Sequence, residues 1–190
     1  MKRIFIPVIV CFLMSCQSKK ESAFQAQMLA MGKEYASYRA AHPDFDTYNA
    51  QHEKVIWDGR RLACQKKYDT ITATIKDIIE FGEGSYEIAC QSQGSIFYRT
   101  RIRFKDSIDI KQSPFYKYKQ SLDKGDVVRI PMMLYEVSGL GADNGVWEIT
   151  FWPIPDGVTD IKAQLQKDLW NTWHGPAEQF DTDDCNSKKI

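Results

Sequence analysis

The segment Phe97-Tyr98-Arg99-Thr100-Arg101-Ile102-Arg103-Phe104-Lys105 carries a cation at every second position. Strand side chains alternate between two faces with a rise of about 3.3 Å per residue. Arg99, Arg101, Arg103 and Lys105 are therefore expected on one face at roughly 7 Å intervals, with Phe97 at its start. Like charges so placed repel by about a few tenths of a kcal/mol per exposed pair, and something must offset the cost. Acids on a neighbouring strand, such as Glu87, would do so internally. An anionic partner would do so externally, and a basic stripe with an aromatic suits single-stranded nucleic acid or an acidic glycan.

Other residues that could do chemistry lack the spacing for it. His52-Glu53 begins like the zinc-protease pattern H-E-x-x-H, but Ile56 stands where the second histidine is needed. Gly139-Leu140-Gly141 and Gly145 lie between expected strands, with no helix after them to hold a phosphate, and read as turn glycines. Asp181, Asp183 and Asp184 lack the glycine and distal glutamate of a calcium loop. His42, His52 and His174 have no partner at a defined spacing that would make any of them a general base. The residues assign no catalytic group, metal or cofactor, and the chain is expected to be a non-enzyme.

The sequence has five cysteines. None has a C-x-x-C neighbour, which disfavours thioredoxin-like redox chemistry and a thiolate zinc site. Cys11 lies in an apolar leader and Cys16 directly behind it. Lys2 and Arg3 form a basic start, Ile4 to Met14 is apolar apart from Pro7, and Ser15 is small, which is the pattern of a secretory signal. Leu13-Met14-Ser15-Cys16 resembles the lipobox of bacterial lipoproteins. That resemblance implies cleavage before Cys16 and a diacylglycerol on its thiol, so residues 1–15 would be a signal peptide. Acyl chains contribute about 0.8 kcal/mol per buried methylene, and two or more anchor stably. Gln17 stands where an aspartate would, in enteric bacteria, favour the inner membrane. The resemblance thus implies a lipid-anchored protein at the outer membrane, facing the periplasm, with residues 16–22 as a polar tether.

In that oxidising compartment Cys64, Cys90 and Cys185 remain, and three cysteines allow three pairs, each leaving one thiol over. Cys64 with Cys90 is the favoured pair, because both flank the same expected strand pair while Cys185 lies in a polar tail.

The whole chain of 190 residues has 25 Lys+Arg against 25 Asp+Glu and 43% hydrophobic content. Such a balance argues against a disordered acidic tail or a protein that coats nucleic acid by bulk charge, and the length suits one core. No stretch reaches the roughly 20 apolar residues of a membrane-spanning helix.

The elements that must position the stripe follow from periodicity. Phe24, Met28, Met31, Tyr35 and Tyr38 share a helical face, which Pro43 ends. A second helix, capped by Asp46 or Thr47, carries Tyr48, His52, Val55, Ile56, Gly59, Leu62 and Ala63. Residues 23–67 should form a helical hairpin. From Thr70 the period becomes two: Ile71, Ala73 and Ile75, a turn at Gly82-Glu83-Gly84-Ser85, then Tyr86, Ile88 and Cys90. The stripe lies on a third strand, with Ile96, Tyr98, Ile102 and Phe104 on its other side. Ser113 and Pro114 open a short helix that Gly125 can end. A fourth strand follows with Val128, Ile130, Met132 and Leu134, where Pro131 suggests an edge or a bulge. A fifth carries Trp147, Ile149 and Phe151. A last helix over residues 156–174 carries Val158, Ile161, Leu165, Leu169 and Trp173 on one face, and residues 175–190 form a polar tail.

Three strands, a short helix and two further strands is the element order of an OB-fold, and Leu122-Asp123-Lys124-Gly125-Asp126-Val127-Val128 resembles its helix-to-fourth-strand junction. The fold class is α+β: a five-stranded OB-like barrel over residues 70–152, with Ile75, Ile88, Ile102, Ile130 and Ile149 in one core. An SH3-like or other small β-barrel is the alternative. The resemblances together imply an envelope lipoprotein that binds a protein or an anionic envelope polymer. An immunity or inhibitor lipoprotein against an envelope-targeted toxin is the alternative, and an envelope hydrolase stands behind both. An envelope address makes nucleic acid an unsuitable partner.

Overall fold

The structure is a computed structural model, and it describes residues 22–170 except 83, 93–95 and 142–145. The expected signal segment, Cys16 and most of the expected tether lie outside the described residues, as do Trp173, His174, the acidic trio at 181–184 and Cys185.

Two helices lead into the sheet: α1 (Ala23–Ala41) and α2 (Phe45–Gln65). Ser22 caps α1 in a reciprocal box with Gln25, each side chain accepting from the other's backbone N–H. The Ser22 hydroxyl also donates to Asp69 at 2.6 Å, which ties the start of α1 to the start of the first strand. Phe24, Met28 and Tyr35 are buried, as the helical spacing requires. The second helix starts at Phe45, one residue ahead of the expected caps, and Asp46 sits in its first turn, where a carboxylate favours the helix dipole.

The barrel is closed, in the order β1-β2-β3-β5-β4. Its strands are β1 (Tyr68–Glu80), β2 (Ser85–Gln91), β3 (Ile96–Arg103), β4 (Val127–Gly141) and β5 (Val146–Pro153). Closure depends on the long first strand. Its N-terminal half pairs with β4 and its C-terminal half with β2, Thr74 facing both Val127 and Gln91, and a register shift between Ile75 and Asp77 bends the strand there. The barrel closes on its far side where β3 runs parallel to β5, from Ile96 beside Trp147 to Arg99 beside Thr150. Pro131 faces outward opposite Thr70, and the irregularities of β4 lie further on, between Leu134 and Glu136 and between Val137 and Leu140.

The alternation determines the interior. Ile75, Ile88, Ile102, Ile130 and Ile149 are all buried in one core with Trp147, Phe151 and Tyr98, as the OB-like reading requires. Between β3 and β4 comes a short helix, α3 (Pro114–Gln120), with Ser113 as its cap and Pro114 in its first turn. Phe115 is buried beneath it, and Tyr86 donates from its hydroxyl to the Phe115 carbonyl at 2.7 Å.

The last helix is shorter than its apolar spacing suggests. It runs over α4 (Ile161–Asp168), capped by Asp160, whose side chain accepts from the Ala163 N–H. Gly157, with φ +81, sits in a turn before it. At its other end Leu169 adopts an extended conformation, and the chain pairs with the end of β3. Phe104 bridges Leu169, the Lys105 N–H donates to the Asp168 carbonyl, and the Trp170 N–H donates to the Arg103 carbonyl. Helical periodicity could not register this competing pairing.

A second correction concerns the cysteines. Cys90 is a free thiol facing the barrel interior, and burial pushes its pKa up to about 12. Cys64, near the end of α2, is disulfide-bonded. The expected Cys64–Cys90 bridge is therefore not formed, because the inward side of β2 commits Cys90 to the core.

Candidate binding face on the third strand

Strand β3 alternates strictly: Ile96, Tyr98, Thr100 and Ile102 are buried, whereas Phe97, Arg99, Arg101 and Arg103 are exposed. Three of the stripe's four cations thus share one face with Phe97, as the period of two requires. Lys105 does not join them. The strand ends at Arg103, and beyond the Phe104 bridge the Lys105 ammonium donates to the Gln166 carbonyl near the C-terminus of α4, where a cation suits the helix dipole.

Neighbouring elements treat the three arginines differently. Arg99 is doubly paired, its Nε 3.1 Å from Glu87 and one terminal nitrogen 3.3 Å from Glu148. Glu87 lies on β2 opposite Arg101, and Glu148 lies on β5 opposite Phe97, so the barrel register brings one acid to each flank of Arg99. Arg101 shares Glu87 through its Nε at 3.4 Å, and its guanidinium lies 4.5 Å from the centre of the Phe81 ring. The guanidinium of Arg103 lies 5.4 Å from the centre of the Trp170 ring, and no carboxylate of the described residues pairs with it. Glu87 is buried, whereas Phe81, Phe97 and Trp170 remain well exposed.

Among the described residues, three guanidinium charges therefore meet two carboxylates on this face, and the positive excess lies toward Arg101 and Arg103. Those two arginines are the ones seated on aromatic rings. A cation over a ring face gains about 0.5–1 kcal/mol at exposed sites and keeps its in-plane N–H groups for another acceptor. Glu87 was legible in the sequence as an acid near the stripe. Phe81 and Trp170 were not, because they come from the β1–β2 turn and from the segment after α4.

Both described histidines contact tyrosine rings. His42 follows α1, stacks on Tyr38 with ring centres 4.2 Å apart, and has Nδ1 3.0 Å from the Tyr38 carbonyl. His52 meets Tyr35 across the helical hairpin, centre to centre at 6.0 Å. Among the described residues no cluster of histidine, cysteine and acids could hold a metal. A buried carboxylate that the sequence did not single out is Asp168. It accepts from the Ser113 hydroxyl at 2.6 Å and from the Gln164 amide at 2.8 Å. Ser113 in turn accepts from the Phe115 N–H, so this carboxylate braces the cap of α3.

Among the described residues no helix is long and apolar enough to cross a membrane. No family model matches the chain, and neither the curated proteins nor the solved structures yield a match. The fold is a small α+β OB-like barrel with helices before and after it, and its chemistry must be read from its own surface.

Proposed function

We propose that this chain is a non-enzymatic envelope lipoprotein, anchored through Cys16, whose barrel binds an anionic envelope polymer on the outer face of β3. The lipobox-like Leu13-Met14-Ser15-Cys16 supports the anchor and the outer-membrane address. One observation carries the binding reading: the barrel's own acids, Glu87 and Glu148, converge on Arg99 and leave Arg103 with an aromatic platform in place of a carboxylate. Exposed Phe81, Phe97 and Trp170 add apolar faces beside the charge, which is how OB-like barrels engage extended ligands.

The test uses the mature protein in detergent. Wild type should partition into the detergent phase, whereas Cys16→Ala should be released from the membrane or remain an uncleaved precursor. Immobilised lipopolysaccharide should capture wild type better than neutral dextran does. The double change Arg101→Ser/Arg103→Ser should weaken that capture by tenfold or more at low salt, and the difference should shrink as salt rises. Equal capture of the wild type and the double variant would overturn the reading.

A further inference from the structure

Resting on the Cys16 anchor of that reading, we infer that the barrel end bearing Lys66 and Tyr68 lies against the phospholipid headgroups of the anchoring membrane. The Arg103–Trp170 end of the stripe then points away from that surface.

Chain length sets the reach. Six peptide units separate Cys16 from Ser22, where α1 is capped. Such a link spans about 20 Å at full extension and about 13 Å as a relaxed coil. The Ser22 hydroxyl is bonded to Asp69 at 2.6 Å, so a lipid on Cys16 keeps the first residues of β1 beside the membrane. Strands β1 and β3 both run antiparallel to β2, and hence in the same direction. Tyr68 opens β1 and Arg103 closes β3, so the two stand at opposite ends of the barrel.

The chemistry of this corner suits a headgroup layer. Tyr68 is 52% exposed although it lies on the ladder opposite Met133. The Leu134 N–H donates to the neighbouring Lys67 carbonyl at 2.8 Å, which fixes the backbone that carries the ring. A tyrosine so presented has an apolar body and a polar tip, the combination that favours a membrane–water boundary. Lys66 is exposed two residues ahead of it, and Lys19 and Lys20 stand in the tether sequence. Cations this close to a bilayer are drawn to anionic headgroups. Asp69, the neighbouring acid, is turned toward α1 by its bond to Ser22. Each of these contacts is weak alone. A short tether raises the effective concentration of the surface to about the millimolar range, which is enough to populate a weak second contact.

The test uses the lipidated mature protein in vesicles of phosphatidylethanolamine and phosphatidylglycerol, with p-benzoylphenylalanine in place of Tyr68 or, separately, of Trp170. Flotation on a density gradient reports the anchor, and mass spectrometry after irradiation reports lipid adducts. The probe at position 68 should give lipid adducts several-fold more often than the probe at position 170. Adding Lys66→Glu should lower the yield at position 68 by about fivefold, the change expected for one cation at an anionic surface, with an unchanged melting temperature. Replacing phosphatidylglycerol by phosphatidylcholine should lower it likewise.

Adducts at position 170 equal to or above those at position 68 would overturn the orientation. A yield at position 68 that ignores both Lys66→Glu and the loss of phosphatidylglycerol would overturn the headgroup contact. Protein that floats with the vesicles yet gives no adduct at position 68 would overturn the inference and leave the anchor standing. Protein that fails to float would remove the anchor and the inference together.

Discussion

The indole N–H of Trp147 donates to the carbonyl of Met28 at 2.6 Å, and this bond joins a fully buried β5 side chain to the N-terminal half of α1. The same indole lies against Gly59 of α2, where an added Cβ would come within 2.7 Å of a Trp147 ring carbon and 3.4 Å of Val137. One ring therefore seats both helices on the barrel, and the absence of a side chain at Gly59 is what permits the approach.

Gly59→Ala should destabilise the protein by about 1–3 kcal/mol, because the buried ring has no room to move and overpacking is costly. Alanine is otherwise the better helix former, so intrinsic propensity alone gives the opposite sign. Chemical denaturation checks this. Combining Gly59→Ala with Trp147→Phe should cost less than the two single changes added, since the smaller ring relieves the clash. A stabilised Gly59→Ala would show that the helix does not depend on this contact.

Ser113→Ala should cost about 2 kcal/mol. It removes the cap of α3 and one of the two donors to the buried Asp168 carboxylate. Asp168→Asn should cost less, since an amide oxygen can still accept from Ser113. Thermal melts of the two variants should preserve this order, and the reverse order would mean that the carboxylate charge matters more than the cap.

Stability should fall in two stages as pH rises above neutrality. Burial raises the Cys90 thiol to about 12 and pushes the Tyr86, Tyr98 and Tyr118 hydroxyls well above the usual phenol range. Each is an acid whose folded pKa exceeds its unfolded one. The unfolded chain thus loses the proton first, and stability is full below the unfolded pKa and falls as pH rises toward the folded one. The decline should begin above roughly pH 8.5 with Cys90 and steepen above about pH 10 with the tyrosines, at up to about 1.4 kcal/mol per pH unit for each group. Urea titrations from pH 7 to 11 would show it. Cys90→Ala should flatten the first stage and Tyr86→Phe should soften the second. A Cys90→Ala slope identical to wild type between pH 8.5 and 10 would contradict the assignment.

The disulfide state offers a test that also bears on the anchor. Cys64 is bonded and Cys90 is free. If Cys11 leaves with the leader and Cys16 carries lipid, Cys185 is the cysteine that remains to pair with Cys64. Non-reducing peptide mapping of the mature protein should recover a Cys64–Cys185 peptide pair and one alkylated thiol at Cys90 after unfolding. A Cys64–Cys16 peptide would contradict both this pairing and the lipid anchor.

Period-two alternation is a local property of the backbone, and it was enough to put Phe97, Arg99, Arg101 and Arg103 on one exposed face and Ile96, Tyr98 and Ile102 in the core. Ser113-Pro114 likewise announced the start of α3, because a cap is written in adjacent residues. The resemblance of Leu13-Met14-Ser15-Cys16 to a lipobox is likewise read from consecutive residues. What the tertiary structure alone decided depends on which distant segments closure of the barrel brings together. The parallel β3–β5 contact brought Glu148 to Arg99, and the β1–β2 turn brought Phe81 under Arg101. The extended segment after α4 brought Trp170 under Arg103 and placed the Gln166 carbonyl where it takes Lys105 off the stripe. The inward turn of Cys90 excluded the expected bridge. No periodicity encodes these partners, because each is set by through-space packing between residues that the chain holds far apart.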